Sequence, residues 1–291
     1  MELIKLTDKT LYIKNPTNIG IYKVDEENVI LIDSGNDKDA GKKILKILDA
    51  EGLKVKGIIN THSNADHIGG NKVIQDRTGC FIYSGGIEKA ITENPVLEPA
   101  FLYGSKPFKE LENKFLMAKE SVVNATEADL PEGLEIIPLK GHFFDQIGVK
   151  TDDDVYFLAD ALFSQETIAK YHLFFIYDVK AYLETLDYIE GLEGKFFIAS
   201  HCEATENPKD LVRINREKVL EIASTIEELC TEGKTFEEIL KEVFDRYSLA
   251  ININQYVLIG SSVKAYLSYL KDFGRITYKF EENRMIWYKI G

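Results

Sequence analysis

The chain has 291 residues, 45% of them hydrophobic and 29% charged, with a formal net charge of −13. This is ordinary globular composition, with enough chain for a sizeable core in one large domain or two smaller ones. The acidic balance disfavours a nucleic-acid partner, because phosphate contacts need clustered lysine and arginine.

The first 83 residues predict a mixed or parallel sheet with helices on its face. Runs of β-branched and apolar residues alternate with turn residues, and Ile44 and Leu48 recur at helical spacing before Gly52. Strands are predicted at residues 10–14, 18–24, 28–33, 55–60 and 80–83, and helices at 37–52 and 67–78. Such alternation of strand and helix is typical of α/β architecture.

The middle of the chain continues the sheet after an insertion. Residues 91–121 are rich in aromatic side chains and prolines, so we interpret them as an insertion that covers a site, with a helix at 108–119. Further strands are predicted at 134–139, 155–159 and 195–200, and a helix at 179–191.

The last part of the chain predicts three helices followed by a hairpin. The helices are expected at 208–232, 236–247 and 255–273, and the hairpin strands at 275–280 and 285–290. This order resembles a winged-helix module, but the third helix carries only Lys264 and Lys271 among many apolar residues. We therefore expect residues 206–291 to form a small helical domain that packs, dimerises or shapes a substrate cleft, following a catalytic domain at 1–205.

Cysteine usage and the N-terminal sequence indicate a cytoplasmic protein. Cys80, Cys202 and Cys230 are too few and too widely spaced for a disulfide framework. Residues 1–14 lack signal-peptide features, and no run reaches the ~20 apolar residues of a membrane span. We expect Cys202 to be a buried apolar residue, not a nucleophile.

Polar side chains cluster where predicted strands end. His62, Asp66 and His67 follow the strand at 55–60, in the segment THSNADHIGG. His142 and His201 follow two later strands, and Asp160 ends a third. Strand ends are where α/β folds place their sites, and imidazole with carboxylate suits zinc, iron or manganese. Helix capping by Asp66 or Asp160 is the competing interpretation.

These residues resemble the metallo-β-lactamase superfamily, whose hallmark is His-x-His-x-Asp-His, then a separate His, a bridging Asp and a final His. The matching positions are His62, Asp66, His67, His142, Asp160 and His201. The segments LIDSG upstream and GGN after the hallmark are also similar to the family, and the resemblance covers residues 1–205.

The resemblance implies an αββα sandwich that holds one or two divalent metal ions, zinc first, with iron or manganese as alternatives. His62, residue 64 and His142 would form one metal site. Asp66, His67 and His201 would form the other, with Asp160 bridging.

Asn64 departs from the hallmark, because it stands where the second histidine belongs. An amide oxygen is a neutral and weak ligand compared with imidazole nitrogen. Three interpretations follow: a weakened dinuclear site with Asn64 as a weak ligand, a mononuclear enzyme, or a metal other than zinc.

The expected function is metal-dependent hydrolysis of a small ester, thioester or lactone by a metal-activated water, with Asp66 as both ligand and orienting carboxylate. His172 and Tyr103 are candidate substrate contacts, although a loop or packing role is the simpler interpretation of each. The alternatives are a phosphodiesterase or ribonuclease, an iron-dependent oxidoreductase like persulfide dioxygenase, and a metal-binding protein with reduced catalysis.

Overall fold

A computed structural model describes residues 1–291, and its framework is two β-sheets packed face to face. The first sheet has six strands in chain order: β1 (Glu2–Lys5), β2 (Thr10–Lys14), β3 (Ile19–Lys23), β4 (Asn28–Ile32), β5 (Lys54–Ile59) and β6 (Phe81–Tyr83). The first four strands pair antiparallel, and β4, β5 and β6 run parallel to one another. Crossover helices join the parallel strands, as that pairing requires.

The crossover helices begin and end at residues suited to those places. α1 (Lys38–Ala50) starts at Asp37, whose side chain accepts hydrogen bonds from the backbone N–H groups of Asp39 and Ala40. Between β5 and β6 the chain forms α2 (Ala65–Ile68) and α3 (Asn71–Thr78), and α3 ends at Gly79 with φ 69°. The helix predicted at 67–78 is therefore two helices.

The second sheet has four strands. In spatial order they are β10 (Phe196–His201), β9 (Val155–Phe163), β8 (Ile147–Thr151) and β7 (Leu134–Pro138), and only β9 and β10 are parallel. Outside this sheet lie α6 (Gln165–Tyr171) and α7 (Val179–Glu190). Strands β1 and β8 and helix α6 were not among the sequence predictions.

The side chains of the sheets fill three apolar layers. Ile30 and Phe157 lie between the two sheets, while Leu31 faces α1 and packs near Ile44. Successive residues of β4 thus point to opposite faces, as the pleat dictates, and both faces are buried. The order helix, sheet, sheet, helix confirms the predicted αββα sandwich.

The C-terminal region has three helices and a hairpin, in the predicted order. These are α8 (Lys209–Leu229), α9 (Phe236–Arg246), α10 (Ile253–Asp272), β11 (Ile276–Glu281) and β12 (Arg284–Lys289). One hydrophobic cluster of 33 buried residues runs from β9 and α7 into these helices. The domain boundary at 205 and the winged-helix likeness stay predictions. No helix combines the length and the hydropathy needed to cross a membrane.

The insertion between β6 and β7 folds differently from the prediction. Its helices are α4 (Gly86–Glu93) and α5 (Leu97–Tyr103). The prediction of a helix at 108–119 is wrong. Only one 3₁₀ turn, Lys109–Leu111, forms there. Asn113 explains the difference, because its side chain accepts from the N–H of Phe115 and donates to the carbonyl of Glu110. Such local bonds compete with a helical ladder.

Candidate metal centre

The six candidate ligands converge at one edge of the sandwich. His67 Nε2 lies 3.3 Å from Asp160 Oδ1, and Asp160 Oδ2 lies 3.3 Å from His201 Nε2. Asp66 Oδ2 lies 3.7 Å from His67 Nε2 and 3.6 Å from His201 Nε2.

Two further histidine contacts complete the cluster. The rings of His62 and His67 have centroids 3.9 Å apart. His142 Nε2 lies 3.6 Å from Asp160 Oδ2. All six residues therefore meet, from the loop after β5, helix α2, the loop between β7 and β8, and strands β9 and β10.

Asp33, directly after β4, fixes the ring of His67. Its carboxylate accepts hydrogen bonds from His67 Nδ1 at 2.7 Å, from the N–H of Thr61 at 2.8 Å and from Thr61 Oγ1 at 2.7 Å. Because Nδ1 donates its proton in this bond, Nε2 of His67 is the nitrogen that faces the site and would ligate a metal once deprotonated.

The turn between β2 and β3 fixes two more ligands. The carbonyl of Pro16 accepts from His201 Nδ1 at 2.7 Å, and Thr17 Oγ1 donates to Asp66 Oδ2 at 2.8 Å. His201 therefore also directs Nε2 inward.

Backbone irregularities place His142 and Asp160. Gly141 has φ +121°, and a Cβ there would come within 2.2 Å of the backbone nitrogen of Tyr182. Only glycine fits before His142. Ala159 has φ 50° beside a register shift between β9 and β10, and this irregularity turns Asp160 into the site. The strand predicted to end at 159 continues to Phe163.

Two of the imidazoles are held neutral in the metal-free protein. Burial lowers the pKa of His62 well below 6.5, with a further contribution from neighbouring His67, and burial likewise lowers the pKa of His142. A neutral imidazole is the form that ligates a metal.

The other two imidazoles face carboxylates. Burial opposes the charged form of His67, but Asp66 and Asp160 raise its pKa well above 6.5. Burial also opposes the charged form of His201, but Asp160 raises its pKa to about 9. Asp160 is buried as well, yet His201 and His67 hold its pKa well below 3.8.

The donor set fits a divalent metal ion. Four atoms of the candidate ligands are buried without a hydrogen-bond partner: His62 Nε2, His67 Nε2, His142 Nδ1 and Asp160 Oδ1. A buried polar atom without a partner costs free energy, and a coordinated cation would satisfy those that face it. Two triads have ligand atoms within 4.8 Å of one another: His62, His67 and Asp160, and Asp66, His67 and His201. Nitrogen and oxygen ligands of this kind suit zinc, iron or manganese.

Two buried glutamates of the insertion also reach the hallmark loop. Glu98 on α5 accepts from Asn64 Nδ2 at 2.8 Å, and burial raises its pKa well above 4.5. Glu88 on α4 accepts from the N–H and Oγ of Ser63 and from the N–H of Asp145, and burial raises its pKa to about 7.

The sequence predictions did not include these residues or Asp33 among the site residues. Asp33 could have been found from the sequence, because it stands in the LIDSG segment that is similar to the family. Glu88 and Glu98 have no sequence signal, since their contacts form only when the segment between β6 and β7 packs on Ser63 and Asn64.

A cavity of about 610 Å³ opens over the cluster, with Asp66, His142, Asp160 and His201 in its floor. Its apolar wall consists of Phe115, Phe163, Phe174, Phe175, Leu258 and Ile259. The insertion and α10 both contribute to this wall, so the C-terminal region shapes the cleft. The ionisable side chains in the lining are Asp66, Glu98, Lys114, Asp160, Glu166, Lys170, His142 and His201.

Three other residues singled out from the sequence do not line this cavity. The ring of His172 packs against Tyr247 at 5.4 Å, and the ring of Tyr103 packs against Phe108 at 5.4 Å. Cys202 is buried, and burial raises the pKa of its thiol to about 12. A thiol in that state is a poor nucleophile.

Comparison with known proteins gives one family match. The model of the family described as metallo-beta-lactamase superfamily matches residues 13–201. No curated protein matches the chain significantly.

Solved structures share the fold at low identity. A beta-lactamase domain protein from Burkholderia ambifaria has a TM-score of 0.75 at 14% identity, covering 99% of this chain and 94% of that one. A metallo-beta-lactamase family protein from Thermus thermophilus has a TM-score of 0.72 at 16% identity, covering 97% and 98%. A metallo-beta-lactamase from Pontibacter korlensis has a TM-score of 0.54 at 17% identity, covering 75% and 98%.

Proposed function

Because the chain belongs to the metallo-beta-lactamase superfamily and its fold is that of a metal-dependent hydrolase, we propose that it hydrolyses a small ester, thioester or lactone. This proposal rests on the convergence of four histidines and two aspartates, four of which (Asp66, His142, Asp160 and His201) line one cavity. Atoms without hydrogen-bond partners in that cluster support metal binding.

The ligands would divide between two positions that share Asp160. His62 and His142, together with Asn64, would hold one ion. Asp66, His67 and His201 would hold the other. A divalent ion held there would lower the pKa of water from about 15.7 toward about 7 and would polarise a carbonyl group. Zinc is the first expectation. Iron and manganese are alternatives, because the site contains carboxylates and no thiolate.

The protein's own groups would orient the reactants. Asp66 has a half-exposed carboxylate that faces the cavity, and Thr17 Oγ1 holds it in place. It would accept a hydrogen bond from the attacking water and direct a lone pair toward the acyl carbon. Asp33 and the Pro16 carbonyl would keep the His67 and His201 rings in their tautomers. The apolar wall of the cavity would exclude bulk water from the acyl group.

The charge and polarity of the cavity favour an acyl substrate over a phosphodiester. The lining contains two lysines, Lys114 and Lys170, and four acidic residues, Asp66, Glu98, Asp160 and Glu166. Such a balance gives no cationic groove for a polyanion. The apolar wall suits a hydrocarbon portion of the substrate.

A substrate panel with defined metal loading tests the proposal. Protein loaded with zinc, iron or manganese is assayed on thioesters, lactones and aryl esters, on RNA and cyclic dinucleotides, and for oxygen consumption with a persulfide. We expect turnover on acyl substrates that Asp66→Asn lowers by at least 100-fold. Turnover confined to nucleotides, or oxygen uptake with iron alone, would replace the proposal with that activity. Metal binding without any turnover would leave a binding protein.

A further inference from the structure

The side chain of Asn64 is held from both ends. Its Nδ2 donates to Glu98 Oε1 at 2.8 Å, and its Oδ1 lies 3.1 Å from Nε2 of the candidate ligand His142. The amide oxygen therefore points at His142, whose ring centroid lies 5.0 Å from that of His62. His62 Nε2 has no hydrogen-bond partner.

We propose that Glu98 is a positioning residue that turns the Asn64 amide so that Oδ1 serves as the third ligand beside His62 and His142. This inference rests on the proposed metal-dependent function. It assigns a task to the insertion: α5 supplies the group that lets an asparagine stand where the hallmark has a histidine.

Hydrogen-bond chemistry selects the amide orientation. Oε1 of Glu98 accepts from the NH₂ group of Asn64, and this hydrogen bond leaves the amide oxygen for the other side. The reversed amide would point its NH₂ group, which cannot ligate a cation, at the metal position, and it could pair with Glu98 only through a protonated carboxyl oxygen.

Glu98 is placed firmly enough to do this. It is 4% exposed, and α5 packs against α10. Leu102 on α5 belongs to a buried cluster with Leu111, Leu116 and Val257. The carboxylate thus comes from a packed element, and α10 braces that element from behind.

The orientation matters because an amide oxygen is a weak ligand. A free asparagine side chain samples rotamers and both amide orientations, and each of those states must be given up on metal binding. Hydrogen-bonding partners behind metal ligands are typically worth about 10–100-fold in metal affinity. We expect Glu98 to contribute within this range at the Asn64 position alone.

A double-mutant cycle on the full-length protein tests the inference. Parent, Glu98→Met, Glu98→Gln, Asn64→Ala and Asn64→Ala/Glu98→Met are compared. Stepwise Zn²⁺ and Co²⁺ affinities are measured by chelator competition. The Co²⁺ absorption spectrum reports ligand changes, and circular dichroism of the metal-free proteins reports folding. Glu93→Met is the matched control, because Glu93 lies in the same insertion and accepts from the N–H of Val123 away from the cluster.

The expected pattern has three parts. Glu98→Met lowers the weaker metal affinity about 10–100-fold and alters the cobalt spectrum, while the tighter affinity stays within about threefold. Glu98→Gln retains an acceptor oxygen, so both of its metal affinities stay within about threefold of those of the parent. Asn64→Ala lowers the weaker metal affinity as much as Glu98→Met does, and the double variant lowers it no further than either single variant.

Other patterns overturn the inference. Equal losses in Glu98→Gln and Glu98→Met would mean that the charge of Glu98 acts, or that Glu98 itself ligates. Additive losses in the double variant would mean that Glu98 does not act through Asn64. A Glu98→Met protein that binds both metals as the parent does would remove the inference and leave the proposed function standing. A parent that binds no metal would end both.

Folding failure of Glu98→Met leaves the test decisive. Asn64→Ala must still weaken the same metal position, and Glu98→Gln must still preserve it. Failure of either result overturns the inference.

Discussion

Replacing Asp33 with asparagine should weaken metal binding without unfolding the protein. The Asp33 carboxylate accepts three hydrogen bonds: Thr61 N–H at one oxygen, and Thr61 Oγ1 and His67 Nδ1 at the other. An asparagine has one acceptor oxygen, so at least one of these donors must face an NH₂ group. If that donor is His67 Nδ1, the ring changes tautomer, and Nε2 carries a proton in place of the lone pair.

The magnitude follows from the lost bond. A hydrogen bond to a charged group contributes about 1.5–3 kcal/mol. Since about 1.4 kcal/mol is a factor of ten, we expect metal affinity to fall roughly 10–100-fold.

The assay is Zn²⁺ affinity by chelator competition, with urea unfolding of the metal-free protein alongside. Asp25→Asn is the matched control, because Asp25 also accepts several hydrogen bonds, in the turn before β4 at the far end of that strand. Asp33→Asn with affinity within threefold of the parent would refute the orienting role of Asp33. An equal loss in Asp25→Asn would show that general destabilisation explains the effect.

Four further changes have defined outcomes. Gly141→Ala should lower the free energy of unfolding, measured by urea titration, by roughly 2–6 kcal/mol, because strain at φ +121° adds to a clash with the Tyr182 backbone. The control Gly52→Ala, at φ +70° with nothing within 4 Å, should lower it by roughly 1 kcal/mol. Metal affinity should rise as the pH increases through about 9, the pKa of His201, because metal must displace the protons that the metal-free protein holds on His201 and His67; calorimetry in buffers of different ionisation enthalpy would detect their release, and a flat profile would contradict it. Leu258→Glu should reduce the preference for hexanoyl over acetyl thioesters at least about tenfold in kcat/KM, since each buried methylene is worth about 0.8 kcal/mol; an unchanged preference would place the acyl chain elsewhere. Saturating zinc should raise the melting temperature of chelator-treated protein, equivalent to about 2.7 kcal/mol at 100 times Kd, and no shift would mean that the ion does not bind the native state.

The elements that were predicted well have local signals. β2 and β4 carry apolar runs between turn residues, and α1 has a capping aspartate before a helical stripe. α6 was not predicted because its seven residues are too few to show a helical repeat, and β8 combines five residues with Gly148 at its second position. The helix predicted at 108–119 was wrong because Asn113 side-chain bonds outweigh helical propensity there.

The residues of the candidate site also differ in whether the local sequence indicates them. The six candidate ligands have a signal in the sequence, because each sits at or near a strand end, within a recognisable order of residue types. Glu88 and Glu98 depend on how a proline-rich insertion folds back over the hallmark loop, and no periodicity encodes such a contact. The irregularity at Ala159, which aims Asp160, also arises from pairing between β9 and β10 and not from local sequence.

The metal content per chain of protein purified without added metal, measured by elemental analysis beside Asn64→His, tests metal binding directly. We expect at least one bound divalent ion per chain in the parent and a second, tightly held ion in the variant. Thioester hydrolysis should disappear on chelation and return with metal. Absence of bound metal from both proteins, with no uptake of added zinc, iron or manganese, would contradict it.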